Sequence, residues 1–173
     1  MIIELAQMND LDEVEKFVNE INEALEGSYY GPEWKKGIYP TRNDAEVNIE
    51  SKSLYVAKMK NQMVGSISLN HVQEPAYEQV NWKINAKANE ILVIRLFAVH
   101  PDFKGQGMAK AMLEFAKDKA KELECKTIRL DVVNQNIPAC QLYEKSGFEY
   151  VSTVDLGLPY EKLKWFRLYE FVI

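Results

Sequence analysis

Arg95-Leu96-Phe97-Ala98-Val99-His100-Pro101-Asp102-Phe103-Lys104-Gly105-Gln106-Gly107-Met108-Ala109-Lys110 is the stretch whose reading decides the fold. The apolar run Ile91 to Val99 that leads through it reads as a strand, and Pro101, which cannot continue a sheet ladder, ends it. Beyond the two glycines, Ala109, Met112, Leu113, Ala116, Ala120 and Leu123 recur at helical spacing, so a helix to about Glu124 is expected. Strand, glycine turn and helix N-terminus aim several N–H groups at one point. The helix dipole adds partial positive charge there, so a phosphate is the natural guest. A P-loop needs Lys and Ser or Thr after its last glycine, but Met108 follows Gly107. The dinucleotide fingerprint needs a third glycine where Lys110 stands. Taken alone, the loop is equally readable as a glycine turn that only starts a helix.

The rest of the composition narrows the function classes. With 173 residues, the chain fits one domain with a substantial core. A net charge of -5 argues against a nucleic-acid partner, which favours a basic face. Mild acidity suits a cationic amine substrate or simply solubility. Cys125 and Cys140 are not in a metal or redox spacing, and with only His71 and His100 beside them no zinc set is expected. Free thiols, and a start (Met1-Ile2-Ile3-Glu4-Leu5) too soon charged for a secretory signal, lead to an expected cytoplasmic location. No apolar run approaches the roughly 20 residues of a membrane span, so no membrane partner is expected.

Taken in order, Ile2–Ala6 reads as a strand and Leu11 to about Glu26 as a helix capped by Asn9 or Asp10. Its stripe is Leu11, Val14, Phe17, Val18, Ile21 and Leu25, and Gly27 stops it. Ser28 to Thr41 is irregular and aromatic (Tyr29, Tyr30, Trp34, Tyr39), fit either to line a pocket or to cover the core. Asn43 or Asp44 begins a short helix ending near Ser51, and two strands, Leu54–Met59 and Gln62–His71, meet at a Lys60-Asn61 turn. Residues 74 to 90 are polar, with Tyr77 and Trp82 their only large apolar groups. Ile91–Val99 is nearly continuously apolar, the pattern of a strand buried on both faces. Thr127–Val133 is another strand, Asn136–Ser146 a short helix ended by Gly147, and Phe148–Asp155 and Lys164–Val172 two closing strands. A single α/β domain is expected, with a parallel pair joined through the helix near residue 110.

Two segments together resemble a known family. Lys104-Gly105-Gln106-Gly107-Met108-Ala109 resembles the pyrophosphate loop of GNAT-superfamily N-acetyltransferases, Arg/Gln-x-x-Gly-x-Gly/Ala, with Lys104 as the one departure. Asn134-Gln135-Asn136-Ile137-Pro138-Ala139-Cys140-Gln141-Leu142-Tyr143-Glu144-Lys145-Ser146-Gly147-Phe148 resembles its second signature, Asn-x-x-Ala-x-x-Leu-Tyr-x-x-x-Gly-Phe. The resemblance covers about residues 91 to 150, and the elements before it follow the family order. By the residues alone, Asn136 is an N-cap, and Tyr143 is a core aromatic or a ligand contact seven residues on, roughly 10 Å along the same helix face.

The resemblance implies a mixed, mostly antiparallel sheet flanked by helices, with a bulged strand splayed from its parallel neighbour around the cofactor. It also implies acetyl-CoA as cosubstrate, no metal, and direct attack by a primary amine of a small molecule or peptide. The pyrophosphate would rest on Lys104, Gly105, Gln106, Gly107, Met108 and Ala109, with Lys110 adding charge. Pantetheine would run along Leu96, Phe97, Ala98 and Val99, and Asn136, Ala139 and Tyr143 would complete the cofactor contacts. A backbone donor near Phe97 or Ala98 would stabilise the oxyanion, and Tyr143 would be the catalytic acid toward the departing thiolate. Glu78, Glu90, Asp131, Asp102 and His100 are candidate bases by region, and none is assigned. A non-catalytic acyl-CoA sensor and a protein N-terminal or lysine acetyltransferase are the competing readings. The run Trp165–Ile173 reads either as a strand for a homodimer or as a buried one.

Overall fold

The computed structural model describes residues 1–27, 34–158 and 164–173; Tyr29 and Tyr30 of the aromatic segment lie outside them. One sheet of seven strands has the order β1-β2-β3-β4-β5-β7-β6. The strands are β1 (Ile2–Leu5), β2 (Leu54–Met59), β3 (Gln62–Asn70), β4 (Ile91–Val99), β5 (Thr127–Val133), β6 (Glu149–Asp155) and β7 (Trp165–Val172). The helices are α1 (Leu11–Leu25), α2 (Arg42–Glu50), α3 (Met108–Glu122) and α4 (Ile137–Lys145). The chain divides into two compact units, Met1–Leu69 with Arg95–Phe115, and Asn70–Ile94 with Ala116–Ile173, so β4 and α3 each run from one unit into the other.

In the first unit β1 pairs antiparallel with β2, and β2 with β3. Lys60 and Asn61 both take positive φ (51° and 60°), the geometry of a two-residue hairpin whose twist matches its strands. The expected stripe of α1 is buried from Leu11 to Ile21 and packs with Ala45 and Ile49 of α2 and Leu54 and Val56 of β2. Helix α1 starts at Leu11 behind Asp10, as expected, but the cap hydrogen bonds at both helix starts differ from expectation. Asp10 sits in a short 3₁₀ turn, Met8–Asp10, and its carboxylate accepts from the Gln7 N–H at 2.7 Å instead of capping α1. Helix α2 is capped by Thr41, in a reciprocal box with Asp44. Asn and Asp score as caps in any sequence, and only the turn geometry chooses among neighbours.

In the second unit β5 pairs antiparallel with β7 along its whole length, from Thr127↔Val172 to Val133↔Phe166, and β6 pairs with β7. The parallel pairs of β4 and β5 are Ile91↔Thr127, Leu92↔Ile128 and Val93↔Arg129, and both strands continue past them. The polar segment of residues 74–90 has a packing role. Tyr77 is 1% exposed and joins Val133, Leu156, Phe166 and Leu168, with Ala76, Val80 and Trp82 against them. Residues 75–82 thus cover one face of β5 and β7, which explains why a mostly polar segment carries two large aromatics.

Two burial expectations change. Only Ile91–Ile94 of β4 are buried, whereas Arg95–Val99 are half-exposed. Helix α3 stops at Glu122, leaving Leu123 51% exposed, and Lys117 rather than Leu123 is buried. The Lys117 ammonium donates to the Ser146 carbonyl at 2.6 Å and lies 4.5 Å from the Phe171 ring centroid. A cation at this carbonyl satisfies the C-terminal end of α4.

Candidate active site

The C-terminal half of β4 departs from regular strand geometry at one residue. Leu96 has φ 47°, left-handed backbone that a leucine adopts at a cost of about 1–3 kcal/mol and that marks bulges and functional strain. The Leu96 carbonyl accepts from the Ser66 hydroxyl at 2.9 Å, and four residues on the His100 N–H donates to the Val64 carbonyl at 2.8 Å. Strand β3 therefore holds the chain at the kink and again beyond it.

After β4 the chain turns sharply. His100 caps a 3₁₀ turn, Pro101–Phe103, through Nδ1, which accepts from the Asp102 N–H at 3.3 Å. Its ring is set between Phe17 and Phe103, at centroid distances of 6.2 and 6.1 Å. Lys104 N–H donates to the Pro101 carbonyl, and the Gln106 side-chain amide to the Asp102 carbonyl at 3.2 Å. Gly105 and Gly107 have φ 78° and 79°, and a Cβ added at either meets no atom of the described residues within 4 Å. Glycine is required here for backbone conformation, and the space before both residues is open to a ligand.

The first i→i−4 bond of α3 runs from Ala111 N–H to the Gly107 carbonyl, so the N–H groups of Met108, Ala109 and Lys110 belong to the donor-rich first turn. This helix is 15 residues long. Open glycines, first-turn donors and a positive dipole end fit a diphosphate. Lys104, Gln106 and Lys110 are exposed, while Met108 and Ala109 are half-buried.

The second signature forms α4. Asn136 Oδ1 accepts from the Ala139 N–H at 3.2 Å, the cap expected from its residue type. Tyr143 is 6% exposed, its ring 6.0 Å from Phe148 and 5.9 Å from Tyr169. Tyr169 is a second buried phenol that the sequence did not single out. Its hydroxyl donates to Glu144 Oε1 at 2.9 Å, and burial, with hydrogen bonds to Cys140 and Glu144, pushes its pKa up despite Arg167. Tyr169 stays protonated and keeps the Glu144 side chain in place.

The acid and base candidates separate clearly. Glu90 is held low by Lys126, at 2.8 Å, and by the Lys87 N–H. Glu78 and Asp102 are exposed. His100 Nε2 lies 3.6 Å from Glu20. Asp131 accepts from the Tyr77 hydroxyl at 2.7 Å, a pairing across 54 residues that no local pattern announces. Cys125 is buried, and that burial raises its thiol pKa. Among the described residues no group of three His, Cys, Asp or Glu is placed to hold a metal, and no helix is long and apolar enough to cross a membrane.

Comparison with known proteins agrees with this geometry. The family model described as acetyltransferase (GNAT) family matches residues 18–148. Streptothricin acetyltransferase of Escherichia coli is 32% identical over 116 residues, which span 65% of this chain and 58% of that protein, less than two thirds of its length. Two solved structures share the fold. A GNAT-family acetyltransferase from Streptococcus agalactiae superposes with a TM-score of 0.82 at 19% identity, covering 99% of this chain and 95% of its own. The yncA protein of Salmonella typhimurium, solved with its cofactor acetyl-CoA, superposes with a TM-score of 0.71 at 14% identity, covering 99% and 93%. The chain belongs to the GNAT acetyltransferase family.

Proposed function

We propose that residues 1–173 form a single acetyl-CoA-dependent N-acetyltransferase domain that moves the acetyl group to a primary amine of a small molecule or peptide. The observation that carries the reading is the left-handed Leu96 followed by the open loop Gly105–Gly107 at the start of α3. Lys104 to Ala109 offer the donors for the diphosphate, with Lys110 adding charge, and Leu96 to Val99 the strand edge for pantetheine. Asn136, Ala139 and Tyr143 supply the remaining cofactor contacts. Because the Ala139 N–H is used by Asn136, its part is one of close packing.

In the ternary complex the neutral amine adds to the thioester carbonyl, forming the new C–N bond, and the C–S bond then breaks. A backbone N–H at Phe97 or Ala98 stabilises the oxyanion that develops. The amine loses a proton to water or a base, and the thiolate gains one. Tyr143 is the acid for that second transfer, and its hydrogen bond to sulfur matters more than its acidity, since a phenol is the weaker acid of the two. The chain's net charge of -5 and its streptothricin acetyltransferase relative both support a cationic small-molecule acceptor.

The test is thermal stabilisation by acetyl-CoA, CoA and NAD, followed by thiol release with a panel of amines that includes streptothricin. Acetyl-CoA and CoA should raise the midpoint while NAD does not, and Gly107→Trp should remove the rise in a protein that is still folded. Tyr143→Phe should keep the rise and lose turnover. No shift at millimolar acetyl-CoA overturns the proposal.

A further inference from the structure

We infer that Ser66 on β3 is a positioning residue that aims the Phe97 N–H at the thioester carbonyl. The inference rests on the acetyl-CoA reading above. Ser66 is 2% exposed, and its hydroxyl donates to the Leu96 carbonyl at 2.9 Å. Neighbouring buried serines do something else. Ser53 and Ser68 direct their hydroxyls to Asn48, at 3.0 Å to its carbonyl and 2.6 Å to its Oδ1. Ser66 is the one of these three that reaches across to β4, and it does so at the residue with left-handed backbone.

The geometry follows from the peptide unit itself. The Leu96–Phe97 bond is trans, so its C=O and N–H lie in one plane and point to opposite sides. Fixing the Leu96 oxygen toward β3 therefore turns the Phe97 N–H toward the other edge of β4. Beyond the kink the His100 N–H meets the Val64 carbonyl, and the Ser66 hydroxyl adds a side-chain bond at the kinked peptide itself. An alanine at position 66 keeps the strand and removes the side-chain donor to the Leu96 carbonyl. A threonine keeps the donor, and Ser66 itself lines a small apolar pocket with Val14, Val18, Leu54 and Leu96.

The experiment compares acetyl-CoA and CoA binding by calorimetry in the wild type, Ser66→Ala and Ser66→Thr. It adds the infrared carbonyl stretch of bound acetyl-CoA carrying ¹³C at the thioester carbon. Only acetyl-CoA has the carbonyl that the Phe97 N–H would meet. Ser66→Ala should weaken acetyl-CoA about fivefold while CoA stays within about twofold, the effect of one misaligned hydrogen bond. Its carbonyl band should move back toward the solution frequency, and Ser66→Thr should restore both. Should the alanine variant fail to fold, Ser66→Cys, close in shape and a weak donor, takes its place with the same expectation. An unshifted band in the variant, or equal losses for CoA and acetyl-CoA, overturns the role of Ser66 and leaves the cofactor reading standing. Absence of binding by either compound to the wild type overturns that reading and the inference with it.

Discussion

Arg129 on β5 and Glu170 on β7 face each other across the sheet, Nε to Oε1 at 3.0 Å, with side chains 5% and 0% exposed. The pair is a hub. Glu170 also accepts from Thr127 Oγ1 at 3.0 Å and from the Lys83 N–H at 2.7 Å. Arg129 donates to Gln73 at 2.8 Å and to the Ile84 carbonyl at 3.1 Å, and lies 4.1 Å from the Trp82 ring centroid. Four contacts thus tie residues 73–84 to the sheet face they cover. Burial lowers the Arg129 pKa, and Glu170 works against that shift.

Removing one partner strands the other charge. Glu170→Gln should lower unfolding stability by about 3–5 kcal/mol in denaturant titration, while the joint change Arg129→Met with Glu170→Leu should recover much of the loss. The single variant should also speed proteolysis within residues 73–84.

Gly107→Ala tests the loop without the bulk of tryptophan. No atom of the described residues stands in the way of the new Cβ, so the cost comes from φ 79°. It should be about 1 kcal/mol, or about 2–4 °C in Tm. Stabilisation by acetyl-CoA should shrink by more than that, since the methyl group points into the space left for the ligand.

Gly65→Ala tests a close approach. A Cβ there falls 2.6 Å from Met112 Sδ and 3.0 Å from the Ala98 carbonyl. The thioether can swing away but the β4 backbone cannot, so a loss of about 1–3 kcal/mol is expected. Combination with Met112→Ala should recover little of it if the carbonyl is the obstacle, which a double-mutant cycle reads directly.

Acid stability should carry the mark of Asp10. Burial pushes its pKa up, but hydrogen bonds from Lys58 and the Gln7 N–H and the Lys58 charge outweigh this, so its pKa lies below the ordinary 3.8. A lowered carboxylate contributes stability above its ordinary pKa and loses it as pH falls through the folded value. Asp10→Asn should therefore cost about 0.2–1 kcal/mol at pH 7 and flatten the decline of Tm below about pH 4. The Lys58 pKa is raised, chiefly by Asp10 with burial opposing and Glu4 and Glu13 assisting, so its share persists below its ordinary 10.5 and fades only at higher pH.

The contrast between Asn136 and Thr41 shows what a sequence carries. Asn136 capped α4 as expected, because a proline at the second helical position and the signature around it leave one start. At α2 the same residue preference pointed to Asn43 or Asp44, while Thr41 had the extended backbone a cap needs. Residue type proposes a cap, and backbone geometry selects it.

By itself the sequence determined the course from β4 through the glycine loop and α3 to β5 and α4, together with its family. Those signals are local: proline and glycine act on their own dihedrals, and apolar spacing reports the face of the same element. Tertiary structure alone decided that Leu96 is left-handed with its carbonyl on Ser66, that Tyr77 is core, and that Arg129 meets Glu170. Those partners lie 30 or more residues apart. A strained or buried polar group is tolerated only where a distant one compensates it, so its place is written in the packing and not in the neighbouring residues.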